Sequence, residues 1–407
     1  MLYFLELVLS ASLLVPFAAT QTNNFTIIGY YTESGSQFLS PENVPFSKLS
    51  HVNYAFAIVG DNYRPVLTAE AEALIPSLVA KAHQEGVKVS LSVGGYTGSV
   101  HFSEMVSRID RRLIFTTALT SLILQYDLDG IDIVWQYPGR KSISCNPVDK
   151  ANDAKNLLIL LREIRLAFNV AFLLSPKLLT LGVRVEPFDV NDTPMTDVSE
   201  FAKVVDFISV MAYDINVASS ATTGPNSPFD FTPVKGVQNS FKQAINSWIN
   251  AKIPKSQLVV GFPFYGRSST ATVDMSQDPT NMYVSKSNVI PMGDQDDEVS
   301  FEPCPGSIET YSGIWKYRNL RSQGLLTSPT TAGNGWTRYW DSASQTPWLY
   351  NPATSVFISY DDVESFQIKM NYGQQIGVRG AMIWALHQDT DDELLNILVD
   401  GLIQLNL

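Results

Sequence analysis

A chain of 407 residues with 45% hydrophobic and only 17% charged residues holds enough apolar material for one large core, which excludes wholesale disorder. Its formal charge of -12, with no basic cluster to offset it locally, excludes nucleic acid as a partner, because the chain would repel phosphate. The two cysteines and the four histidines (His51, His83, His101 and His387) lack metal-ligand spacing, so neither a metal nor another cofactor is expected.

In chain order, the first feature is an apolar run, Leu7 to Ala19, followed by the polar stretch Gln21-Thr22-Asn23-Asn24. Small residues at Ala18 and Thr20 complete the shape of a secretory signal, although Glu6 stands where a basic residue is usual. Pro16 breaks the run, which is too short for a membrane span. The expectation is removal of residues 1–20, leaving 21–407 as a secreted, extracellular monomer with no membrane attachment. On that reading Asn24 (Asn24-Phe25-Thr26) and Asn191 (Asn191-Asp192-Thr193) are glycosylation acceptors, the second disfavoured by Pro194. Cys145 and Cys304 allow at most one bridge within the chain, and their pairing is left open.

Short β-branched or aromatic runs then alternate with segments of helical period, the pattern of repeated βα units around a parallel sheet. Strands are expected at Thr26 to Tyr31, His51 to Ile58, Val87 to Val93, Gly130 to Trp135, Leu178 to Val183, Phe207 to Ala212, Leu258 to Phe264 and Gly380 to Ala385. Amphipathic helices are expected at Ala69 to Gln84, Arg111 to Gln125, Ala151 to Phe168, Val237 to Ile249 and Asp391 to Leu405. Eight such strands suggest an α/β fold, a closed TIM (β/α)8 barrel. The rhythm breaks between the seventh and eighth strands. There residues 268–353, with Trp315, Trp336, Trp340 and Trp348, are expected to form a small inserted α+β unit.

In such barrels chemistry gathers at the carboxyl ends of the strands. The fourth expected strand reads Asp129-Gly130-Ile131-Asp132-Ile133-Val134-Trp135-Gln136-Tyr137-Pro138. It resembles the D-G-x-D-x-D-W-E-Y-P signature of glycoside hydrolase family 18, the chitinases, except at Val134 and Gln136. Other strand ends resemble the same family in the same order: Asn53-Tyr54-Ala55-Phe56, Ser92-Val93-Gly94-Gly95, Met211-Ala212-Tyr213-Asp214, Gly261 through Arg267, and Gly380 through Trp384. Judged singly, Gly94-Gly95 is only a tight turn and Tyr213 or Trp384 only a core aromatic. Six motifs in order are not a coincidence, and the continuations after Tyr137 and Trp384 most resemble the chitinases of fungi.

The resemblance implies a substrate-assisted reaction in which the sugar's own N-acetyl carbonyl attacks the anomeric carbon. A glutamate then protonates the leaving oxygen, and an aspartate beside it orients the acetamide. Gln136 occupies the proton donor's place, and a carboxamide has no proton to give. Val134 occupies the orienting aspartate's place and can accept no hydrogen bond. Loss of general acid help alone costs about 10²- to 10⁴-fold. Asp132 remains, expected to ionise more easily without its usual acidic neighbour although burial opposes this. Tyr213 is expected to bond the acetamide carbonyl. Carried over as ligand-binding residues are Tyr30, Phe56, Trp135, Met211, Asp214, Tyr265, Arg267 and Trp384, the last as an apolar floor for a pyranose face. Ser34 and Tyr96 stand where tryptophan is frequent in the family, which puts the outer subsites in doubt.

The expected function is therefore a secreted chitinase-like protein that binds chitin or N-acetylglucosamine oligomers without cleaving them. Two other readings stay open at this point. One is a working glycoside hydrolase that recruits another carboxylate such as Asp132 or Asp214, and the other is a decoy or inhibitor that binds another protein.

Overall fold

The structure, a computed structural model, describes residues 25–403 apart from 144, 300, 301 and 303. The expected signal segment and Asn24 lie outside the described residues. Eight strands form a closed parallel barrel: β1 (Thr26–Thr32), β2 (His51–Val59), β3 (Lys88–Gly94), β4 (Gly130–Trp135), β5 (Leu178–Val183), β6 (Phe207–Val210), β7 (Leu258–Pro263) and, after the insertion, β13 (Gly380–Trp384). Each strand pairs with the one before it, and the ring closes where Thr26 lies opposite Gly380 and Ile28 opposite His51. Their residues are buried on both faces almost throughout, as a parallel sheet covered by helices requires.

The outer layer includes α1 (Ala69–Gln84), α2 (Ile109–Tyr126), α3 (Asp153–Ala171), α4 (Phe241–Asn250), α5 (Val363–Ile376) and α6 (Glu393–Ile403). Local chemistry sets their ends. Thr68 caps α1 by accepting from the Ala71 N–H, and Ser240 does the same for α4 from Gln243, which is why α4 begins later than Val237. Asp362 caps α5 in a reciprocal box with Ser365, and Gly377 ends that helix at φ 81°, where a side chain would be strained. The main core lies between the barrel's outer face and these helices, and a smaller apolar cluster fills the barrel interior. Among the described residues no helix is long and apolar enough to cross a membrane.

After β7 the chain enters an antiparallel sheet of five strands: β8 (Tyr265–Thr270), β9 (Ile314–Lys316), β10 (Thr337–Asp341), β11 (Thr346–Asn351) and β12 (Val356–Ser359). The order is β9-β8-β12-β11-β10, so the sheet is sewn together by β8 and β12, its entry and exit strands. It thus reaches beyond the expected limits of 268–353 on both sides. Cys145, in the loop after β4, and Cys304, within the insertion, form a disulfide.

Candidate functional site

The alternation along β4 divides its residues between two environments. Ile131, Ile133 and Trp135 face the helices, and Trp135 stacks on Phe102 with ring centroids 5.2 Å apart. Trp135 therefore belongs to the core under the outer helices. This corrects its expected place in the ligand groove, because one residue along a strand exchanges one face for the other.

Asp132 points the opposite way and is fully buried. Its Oδ2 accepts from the Tyr30 hydroxyl at 2.6 Å and the Ser92 hydroxyl at 2.8 Å, and its Oδ1 accepts from the Thr180 hydroxyl at 2.7 Å. These partners follow from register, since Ser92 and Thr180 lie directly opposite Asp132 on the flanking strands. Burial raises its pKa above the usual carboxylate value and outweighs the three hydroxyl bonds that pull the other way. Of the two opposed influences expected from sequence, burial wins.

Val134 is also buried, and its two methyls sit against Gly182 of β5, where an added Cβ would lie 3.0 Å from each. Its carbonyl closes on Gly94, which turns at φ 116° and has no room for a side chain: a Cβ there would lie 2.3 Å from that oxygen. Gln136 follows at the strand's carboxyl end, with its backbone held on both sides. Its N–H donates to the Ser99 hydroxyl at 3.0 Å, and its carbonyl accepts from the Asn146 amide at 3.3 Å. Among the described residues the side-chain nitrogen reaches the Met211 sulfur, at 3.5 Å, a weak partner. Gln136 is half-buried, so its carboxamide is positioned but largely uncommitted.

Around this strand end stands an aromatic floor. Phe56 and Trp384 stack at 5.6 Å and 22°, and Tyr30 lies 5.3 Å from Trp384 and 6.4 Å from Phe56. Gly95 leaves space for Phe56, because a Cβ would meet its ring at 2.7 Å. Tyr213 and Tyr265 form the next wall, edge to face at 6.1 Å, with the Tyr213 hydroxyl 3.8 Å from the Met382 sulfur. Burial, reinforced by nearby acidic groups, raises the hydroxyl pKa values of Tyr30, Tyr213 and Tyr265 well above the ordinary tyrosine value, so all three remain hydrogen-bond donors. At the rim, Asp214 Oδ1 accepts from the Tyr265 hydroxyl and from the Arg267 Nε, each at 2.6 Å. Asp214 adopts φ 57° and donates its own N–H to Asn226.

Tyr30, Phe56, Met211, Tyr213, Tyr265 and Trp384 thus converge in one cluster inside the barrel mouth, with Asp132 beneath and Asp214 and Arg267 beside it. Asn191 sits on an exposed turn, at φ 52°. Three contributors went unassigned in the sequence: Thr180, Ser99 and Asn146. Thr180 carried a signal, a lone hydroxyl at an inward position of an apolar strand, whereas the other two sit in loops where no period marks them. The peptide bonds Ala55–Phe56, Gln136–Tyr137 and Trp384–Ala385 are cis, and none precedes proline. Among the described residues no cluster of side chains suits a metal.

Comparison with known proteins decides the family. The family model for glycosyl hydrolases family 18 matches residues 26–389. The chain belongs to that family. A chitinase-like effector of Moniliophthora perniciosa is 34% identical over 93% of this chain and 87% of its own length, and one of Moniliophthora roreri is 32% identical over 91% of each. The crystal structure of a chitinase from Rhizomucor miehei superposes with a TM-score of 0.84 at 34% identity, covering 92% of this chain and 99% of that one. Family 18 membership accounts for the barrel. Val134 lies near the carboxyl end of β4 and Gln136 directly follows that strand.

Proposed function

We propose that this family 18, chitinase-like protein is secreted and binds chitin or N-acetylglucosamine oligomers as a monomer, without hydrolysing them. The observation that carries this reading is the end of β4. Gln136 stands at the mouth with its carboxamide bonded weakly to the Met211 sulfur, Val134 seals the place beneath it with methyls, and the tyrosines and Trp384 stand around them. A carboxamide nearly matches glutamate in shape and donates a hydrogen bond to a glycosidic oxygen, but delivers no proton. An isopropyl group neither orients an acetamide nor stabilises charge on it, a contact worth about 3 kcal/mol in comparable sites. Binding and chemistry are thereby separated.

Recruitment of another carboxylate is disfavoured by geometry. Both oxygens of Asp132 are occupied by three hydroxyl donors beneath the floor, and Asp214 is held by Arg267 and Tyr265 at the rim. Isothermal titration with chitin tetramers and hexamers tests the reading. Heat of binding with no shortening of the sugar is expected, and the absence of heat together with unchanged tryptophan fluorescence at millimolar sugar would sink it. On the same reading residues 1–20 are a cleaved signal, Asn24 and Asn191 are glycosylation acceptors, and 268–353 is the bulk of an inserted subdomain.

A further inference from the structure

Tyr213 stands three residues past Val210, where the pairing of β6 with β5 and β7 ends. Its hydroxyl gives it little anchorage, because among the described residues the partner it finds is the Met382 sulfur at 3.8 Å, a weak acceptor. The peptide groups on both sides of it are nevertheless held, and by consecutive residues of one loop. The Ser227 hydroxyl donates to the Ala212 carbonyl at 2.7 Å, and Asn226 Oδ1 accepts from the Asp214 N–H at 3.1 Å. Both loop residues are buried.

Asn226 uses the rest of its polar atoms to join the end of β6 to the insertion. Its Nδ2 donates to the Tyr265 carbonyl on β8 at 3.2 Å, and its own N–H donates to the Ser359 hydroxyl on β12 at 2.6 Å. Its carbonyl accepts from the Ile215 N–H at 3.0 Å. These main-chain partners leave one orientation for the amide, and an ionised carboxylate could not serve both, since it only accepts. The same bonds brace Asp214 at φ 57°, a conformation that a residue with a side chain keeps only where its surroundings over-determine it. Ser227 is braced from behind. Lys369 of α5, fully buried, donates to its hydroxyl at 3.0 Å and pairs with the buried carboxylate of Asp361.

We propose that Asn226 and Ser227 are positioning residues that aim Tyr213 at the acetamide of the ligand by gripping the main chain on either side of it. This rests on the sugar-binding reading and adds to it a clamp behind the tyrosine wall. The barrel does not need the clamp, since β6 pairs with β5 and β7 through Phe207–Val210. Loss of either member should therefore release Tyr213 and leave the fold standing.

The test is a double-mutant cycle. Asn226→Ala and Ser227→Ala are each made in the wild-type chain and in Tyr213→Phe, then titrated calorimetrically with chitin hexamer and melted thermally. Tyr213→Phe should weaken binding by about three- to tenfold, the range for one hydrogen bond. Each clamp variant should cost at least about as much in the wild-type chain, but about twofold or less in the Tyr213→Phe chain, because changes that act through one contact do not add. If one clamp variant alone folds, the cycle is read from that one. Equal losses in both chains would mark a merely structural role and overturn the clamp, as would wild-type affinity in the folded clamp variants; either result would leave the sugar-binding reading in place. Failure of both variants to fold would also overturn it, by showing that the barrel needs these residues. No binding of the hexamer by the native protein would remove the sugar-binding reading, and the clamp's function with it.

Discussion

Val134 sets two methyls against Gly182 of the neighbouring strand β5, so on the proposed reading it fills space where an acid would carry charge. Restoring the acid alone would put a second carboxylate near Asp132 without a partner, and Val134→Asp is expected to cost about 1–3 kcal/mol of stability in thermal unfolding. Gln136→Glu alone would restore a proton donor with nothing to orient the acetamide. Only Val134→Asp together with Gln136→Glu should release product from a fluorogenic chitobiose substrate, because groups that act as a unit are not additive. Turnover by either single variant at the level of the double would contradict that interdependence. Val134 and Gln136 drew attention in the sequence because the resemblance on either side of them is otherwise continuous. The hydroxyl cage around Asp132 was legible only in part, since the register that brings Thr180 opposite is a relation between strands and no segment carries it alone.

At the scale of the strand, the two faces of β4 make a sharper distinction than motif matching does. Trp135 is part of the signature yet packs on Phe102, whereas Trp384 lies in the mouth between Tyr30 and Phe56. Trp135→Ala should lower stability by about 3–5 kcal/mol, as removal of a large core aromatic does, with sugar affinity retained in whatever protein remains folded. Trp384→Ala should weaken oligomer binding by about tenfold or more, the loss expected of an aromatic anchor, with little change in melting temperature. The reverse pattern in calorimetry and thermal melts would reassign the faces. Strand ends read from the sequence fall within a residue or two of those in the structure, because apolar runs bounded by turn residues are local. The insertion was harder: β8 and β12 pair across some ninety intervening residues, and no local period announces such a partnership.

Across the whole molecule, two buried histidines set a limit on acid stability. Burial, aided by nearby Lys88 and Arg379, lowers the His51 pKa to about 4, and burial with Arg318 and Lys316 lowers that of His387 to about 3. Both are below the value of about 6.5 for an unfolded histidine, so the unfolded chain binds more protons and the fold loses stability as the pH falls from 6.5 towards 4. Each histidine contributes at most about 1.4 kcal/mol per pH unit in that window. Buried carboxylates with raised values, Asp132 and Asp389 among them, act in the opposite sense, so the measurement is a difference. The melting temperature of His387→Gln should fall less between pH 6.5 and pH 4 than that of the wild type. Parallel curves would show that His387 does not titrate on unfolding.

The pairing of β1 with β13 has a consequence for how the protein is made. The seam joins the earliest barrel strand to the latest, so on a ribosome the ring stays open until residue 384 has emerged, and two bare strand edges wait through most of translation. A nascent chain arrested ahead of Gly380 should therefore depend on chaperones and aggregate without them. Supplying the missing βα unit as a separate peptide should rescue it, because the vacancy it fills is already shaped by β1 and β7.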